Sequence, residues 1–158
     1  MVPQDTAENT CKDLSRTIQL LLKLVNSDKL AGKWGILDNK DCRSVVCYLD
    51  CQDLIDGKRA SVRGGSAGGY TTLCSVTAVS GAPTFFRAAT SAYGGISNLL
   101  DLAKKTEKFE LRYMWRLLGG SPSEIEQVYK DRSPFYRVDS TMGTPLLVST
   151  SGLVSCSP

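Results

Sequence analysis

Six consecutive residues, Gly64-Gly65-Ser66-Ala67-Gly68-Gly69, carry no side chain larger than a hydroxymethyl group. Such a run lets two backbone segments pass at near contact and lets the chain adopt conformations closed to larger residues. It follows Arg59-Ala60-Ser61-Val62-Arg63, read as a short strand, and precedes Tyr70 to Val79, which is helix-compatible and rich in small residues. A Gly-x-Ser-x-Gly turn from strand to helix is the pattern of a nucleophile elbow. The serine sits on strained backbone at the turn, and its neighbours must be small because strand and helix run close together. Ser66 is then the candidate nucleophile. The N–H of Ala67, next in the chain, points into an oxyanion hole, aided by the positive end of the following helix.

A glycine-rich turn before a helix also cradles phosphates, so the residues must be tested against that chemistry. The dinucleotide pattern Gly-x-Gly-x-x-Gly cannot be placed in residues 64–69. Gly64 and Gly69 have the glycine spacing of a P-loop, but Tyr70 stands where that motif needs Lys, so the phosphate charge would go unmatched. The hexamer alone leaves open a nucleophile and a purely structural glycine turn.

Around the turn, strand-like and helix-like segments alternate. Leu14, Ile18, Leu21, Leu22 and Val25 recur at three- and four-residue steps, which predicts a helix over residues 10–26. After a turn at residues 31–35, a second helix is expected from Asp38 or Asn39 to Gln52, with Cys42, Val45, Val46, Leu49 and Cys51 as its apolar stripe and Gly57 as the turn residue of its exit loop. Residues 85–93 read as a buried strand. Residues 97–118 read as one or two helices, with Leu99, Leu100, Leu102, Phe109, Leu111, Tyr113, Met114, Trp115 and Leu117 as candidate core. Ser121 and Glu124 have capping-box spacing for a short helix to about Tyr129, and Pro145 to Ser149 suits a buried parallel strand. The alternation predicts an α/β architecture with a mostly parallel sheet flanked by helices.

Composition narrows the function classes. A net charge of +3, with both signs interspersed along 158 residues, argues against nucleic acid or an anionic membrane as partner. The longest apolar stretch, residues 18–25, is broken by Gln19 and Lys23 and is too short to span a bilayer. Six cysteines occur without a Cys-x-x-Cys pair, and the sequence has no histidine, which excludes a Cys/His zinc site. Cys47 and Cys51, four apart on a predicted helix, are expected to fill core space. With no secretory signal pattern at the N-terminus, a reducing compartment such as the cytosol is expected. No cofactor is expected.

Longer blocks then carry a resemblance. Gly32-Lys33-Trp34-Gly35-Ile36-Leu37-Asp38, Asp41-Cys42 and Arg63 to Leu73 resemble the catalytic domain of the prolyl oligopeptidase family, nearest its dipeptidyl-peptidase and acylaminoacyl-peptidase-like branch. The similarity continues through Phe86-Arg87-Ala88, Ser91 to Gly94, Lys108 to Tyr113, Tyr129 to Pro134 and Thr144 to Leu147. It implies a partial α/β-hydrolase domain over residues 32–148, flanked by a helical segment, 1–31, and a divergent tail, 149–158. It implies short peptides as substrates, Ser66 as nucleophile of a Ser-Asp-His triad, and Ala67 as an oxyanion-hole amide. Tyr70 and Trp34 are expected to pack rather than react.

The departures from the family pattern set further expectations. The triad Asp and His, the His-Gly-Gly-Pro-like oxyanion loop and the β-propeller of the family find no counterpart here. Lys58 and Arg63 are poor substitutes for the base, because Arg does not deprotonate usefully and Lys58 falls at the far end of the strand. A serine without its base loses about a millionfold in turnover. The chain is therefore expected to be inactive alone: a truncated catalytic domain, a pseudoenzyme or binding module that associates with a full-length hydrolase, or an esterase-like hydrolase completed by another chain. Uncovered sheet edges and apolar faces would leave it marginally soluble.

Overall fold

A computed structural model of the chain describes residues 29–77, 85–92, 96–106, 108–140 and 143–149. The helix expected over 10–26, the end of the strand expected over 85–93, and the tail beyond Ser149 lie outside these residues.

Among the described residues, a parallel sheet of three strands is flanked by helices. The order along the chain is α1 (Leu37–Cys51), a 3-10 turn (Gly57–Arg59), β1 (Ser61–Gly65), α2 (Ala67–Val76), β2 (Ala88–Ala92), α3 (Leu99–Lys105), α4 (Lys108–Leu118), α5 (Glu126–Arg132), a kinked 3-10 segment (Pro134–Ser140) and β3 (Leu146–Ser149). The sheet order is β1-β2-β3. Gly65 pairs with Ala92 at the end of β1, and Ala92 pairs with Ser149 at the end of β2, so all three strands finish at one edge of the sheet. This is the α/β-hydrolase-like architecture expected from the alternation of elements.

The core lies between α2 and the layer of α3, α4 and α5. Tyr70 and Cys74 of α2 meet Leu99, Ala103, Met114, Leu117, Leu118 and Tyr129, with Trp34 inserted from the preceding loop. Ser133 ties the layer together: its hydroxyl donates to the Tyr129 carbonyl at 2.6 Å and accepts the Leu99 N–H at 2.9 Å. Asn98 caps α3 by accepting the Leu100 N–H at 3.1 Å and the Asp101 N–H at 3.4 Å.

Several expectations are corrected. Residues 97–118 hold two helices, α3 and α4, within the expectation of one or two, but Tyr113 and Trp115, expected in the core, turn outward on α4 while Leu118 is buried. The helix after Ser121 starts at Glu126 and runs to Arg132. The Glu124 carboxylate does reach back to the Ser121 N–H, at 2.9 Å, but it closes a turn rather than a helix. Gly57 is not the turn residue after α1. The Asp53 N–H bonds the Asp50 carbonyl and the Leu54 N–H bonds the Leu49 carbonyl, both at 3.0 Å, with Asp53 itself left-handed at φ 55. That is a Schellman ending with Asp in the usual glycine position. β3 is parallel as expected but not buried, since Leu147 and Val148 are 63% and 51% exposed at the sheet edge. Cys47 and Cys51 are exposed as well, because the inward stripe of α1 is Asp38, Cys42, Val45, Val46 and Leu49.

Burial sets the acid–base behaviour of this core. It raises the Cys74 thiol from 9.0 to about 11. It also raises Cys42 from 9.0 to about 11, with the Asp38 and Asp41 carboxylates adding to the rise. The Tyr70 phenol is raised too, chiefly by burial. Above pH 9 the unfolded chain gives up thiol protons that the folded chain retains, so stability falls with rising pH. The urea midpoint is expected to decline between pH 9 and 11, the window of those two thiols. The decline should be shallower in Cys42→Ala.

Candidate functional site

Ser66 joins β1 to α2 at the edge where the strands end. Its backbone sits at φ 53 and ψ −123, a region that L-residues with a side chain rarely occupy. Holding a residue there costs roughly 1–3 kcal/mol and requires the surroundings to impose it. Two contacts do so. The Ser66 N–H donates to the Ala92 carbonyl of β2 at 3.2 Å, and the Ser66 carbonyl accepts the Tyr70 N–H, also at 3.2 Å, starting α2. Although Ser66 is the N-cap of α2, its hydroxyl makes no capping bond, and both Ser66 and Ala67 are exposed.

The glycines divide the work unequally. A Cβ on Gly64 would collide with the carbonyl group of Gly68 and come within 2.9 Å of its Cα. A Cβ on Gly68 would meet nothing within 4 Å. The requirement for small residues is therefore strict at Gly64, where the strand passes the helix backbone, and loose at Gly68 itself.

Behind the elbow, Tyr70 is fully buried, as its expected packing role demands. Its ring lies 4.5 Å from that of Trp34, and its hydroxyl donates to the Arg132 carbonyl at 3.1 Å. The Arg132 guanidinium in turn donates to the carbonyls of Gly32 at 2.9 Å and Trp34 at 3.3 Å. Gly35 is left-handed at φ 82, and a Cβ there would strike the Tyr70 hydroxyl. The Gly-Lys-Trp-Gly segment is thus a backbone loop shaped to hold the tyrosine of the elbow helix.

A second tie runs through Asp38, a residue the sequence suggested only as a helix start. Its carboxylate is buried, accepting the Gly35 N–H at 2.7 Å and the Thr71 hydroxyl at 2.6 Å. Thr71 lies one turn beyond Ala67. The Asn39 amide extends the link, donating to the Cys74 carbonyl at 3.2 Å and accepting the Ser75 hydroxyl at 3.1 Å. Paired buried polar groups of this kind hold α2 in one position against α1. Of the two cations weighed as replacement bases, Arg63 is an exposed residue of β1 and Lys58 precedes that strand, at the opposite end from Ser66.

Gly64→Ala is expected to cost about 2–3 kcal/mol by overpacking. Gly68→Ala should be neutral or stabilising by roughly 0.5–1 kcal/mol, as a helical glycine replaced in open space. Urea denaturation of the two variants tests this asymmetry directly.

Comparison with known proteins agrees with the geometry. Puromycin hydrolase superposes with a TM-score of 0.67 at 35% identity, over 77% of this chain and 17% of that one. A puromycin-hydrolyzing peptidase of Mycobacterium tuberculosis gives 0.68 at 36% identity, over 78% of this chain and 18% of that one. An acylaminoacyl peptidase in complex with Z-Gly-Gly-Phe-chloromethyl ketone gives 0.63 at 23% identity, over 77% and 19%, a likeness of fold alone. The chain thus spans less than a fifth of the length of each of these structures. A search of curated proteins found no match. The model of the prolyl oligopeptidase family of peptidases matches residues 26–153, and with it the block that carries the elbow, so the chain belongs to that family.

Proposed function

We propose that this chain supplies the nucleophile-bearing part of a serine peptidase site that cleaves short peptides. Residues 32–148 form its catalytic-domain segment, with 1–31 and 149–158 flanking it. The observation that carries the reading is the Ser66 conformation: a non-glycine residue at φ 53, between a parallel strand and a helix, with its hydroxyl not consumed as a cap.

In this reading, Ser66 Oγ attacks the carbonyl carbon of the scissile bond while its proton passes to a base. The N–H of Ala67 donates to the oxyanion, and as a first-turn amide it has no acceptor inside α2. Collapse of the tetrahedral adduct expels the amine, which takes up the proton, and water then releases the acyl group from Ser66. Imidazole is the usual base, and these 158 residues contain no histidine. The base is therefore supplied from outside them, for instance by association with a full-length hydrolase, and the chain alone turns over negligibly. The free thiols of Cys42, Cys47, Cys51 and Cys74 support a reducing compartment such as the cytosol. No helix among the described residues is long and apolar enough to cross a membrane.

The test is chemical rescue. Aminoacyl and dipeptidyl chromogenic substrates are expected to show no turnover above background with the chain alone. A fluorophosphonate probe should label Ser66 slowly, and added imidazole should accelerate that labelling in the parent but not in Ser66→Ala. Equal labelling of Ser66→Ala would remove Ser66 as the nucleophile. Robust hydrolysis by the chain alone, abolished in Ser66→Ala, would instead show that a base lies within it.

A further inference from the structure

Four cysteines lie among the described residues, all of them free thiols in different surroundings. Cys74 is buried and Cys42 half-buried, and burial raises both thiols above their ordinary value. Cys47 and Cys51 are exposed on α1, away from its inward stripe. Four residues apart on a continuous helix, they share one face, with Cβ atoms about 5–6 Å apart.

That spacing decides what the pair can do. A disulfide needs Cβ atoms about 3.5–4.5 Å apart, so closing one would deform α1. Two thiolate–metal bonds of about 2.3 Å set end to end span about 4.6 Å between sulfurs, which side-chain rotation alone can reach. No group of three or more His, Cys, Asp or Glu residues gathers among the described residues, so a four-coordinate ion such as zinc would lack ligands there. Two thiolates with no further protein ligand among the described residues suit a soft cation that accepts linear coordination.

We propose that Cys47 and Cys51 form a two-coordinate dithiolate site for a soft monovalent cation of the cuprous class. Binding releases both thiol protons to solvent and leaves one cation between two thiolates, with a net charge of −1 and no transfer of electrons. The surroundings suit that charge. Cys47, though not Cys51, borders a cavity of about 310 Å³ that Asp50, Lys58 and Arg87 also line, two cations against one carboxylate. Arg87 directs its Nε to the Lys58 carbonyl at 3.0 Å, which fixes the two cationic residues side by side. Lys58 precedes β1 and Arg87 precedes β2, so the cavity sits at the opposite end of the strands from Ser66, and the site does not depend on the peptidase reading.

The full chain, reduced and kept free of oxygen, is titrated with cuprous ion against a chromogenic cuprous chelator. The parent is expected to hold a single cuprous ion at chelator concentrations that strip it from Cys47→Ser and from Cys51→Ser. Cys42→Ser and a Cys11→Ser/Cys156→Ser variant should hold it as the parent does. X-ray absorption of the loaded parent should find two sulfur neighbours around copper, and circular dichroism should show the same helix content in every variant. Retention by either the Cys47 or the Cys51 variant, three or more sulfurs around copper, or no retention by the parent would overturn the proposal.

Discussion

The close pass of Gly64 over the backbone of Gly68 is the contact on which the rest of this structure depends. It brings the end of β1 and the start of α2 nearer than any side chain would permit, and the turn between them has one residue in which to reverse. Ser66 absorbs that demand by moving to positive φ, which turns its hydroxyl away from the helix amides it would otherwise cap. The strained conformation of Ser66 originates in steric exclusion. A side chain with hydrogen-bonding capacity is left unused because the backbone has no other way through.

Strain of this kind persists only where the surroundings resist relaxation, and two buried clasps provide that resistance. Tyr70, one turn into α2, is held by the Trp34 ring and the Arg132 carbonyl, while Arg132 closes the circuit onto the loop that carries Trp34. Asp38 holds Thr71, the residue adjacent to Tyr70. Both clasps join segments far apart in sequence, so the elbow is a product of tertiary packing and not of the local hexamer alone. The same enclosure raises the Cys74 thiol above its ordinary value.

This explains which parts were legible from residues alone. The elbow could be read because its physical requirement, small residues at fixed places between a strand and a helix, is itself a sequence pattern. The parallel α/β arrangement followed from the alternation of segments. Asp38 was visible only as a helix start, because its partner Thr71 is 33 residues away and no local pattern announces it. Leu146-Leu147-Val148 reads as buried from its composition, yet composition records a preference and not whether a neighbour is present to cover the strand. Cys47 and Cys51 misled for a related reason: a thiol is apolar enough to be placed inside, and only the rotation of α1 about its axis, fixed by Asp38 and Asn39, decides which face it takes. Gly68 looked as necessary as Gly64. Only the direction of its missing Cβ separates them.

The most direct measurement of this account is the backbone conformation of Ser66 in a high-resolution electron-density map of the protein. The account predicts φ close to 53, with the Ser66 hydroxyl free of the first-turn amides of α2. A Ser66 at negative φ whose hydroxyl accepts a hydrogen bond from the Gly68 or Gly69 N–H would contradict it, leaving an ordinary serine cap where the nucleophile elbow is claimed.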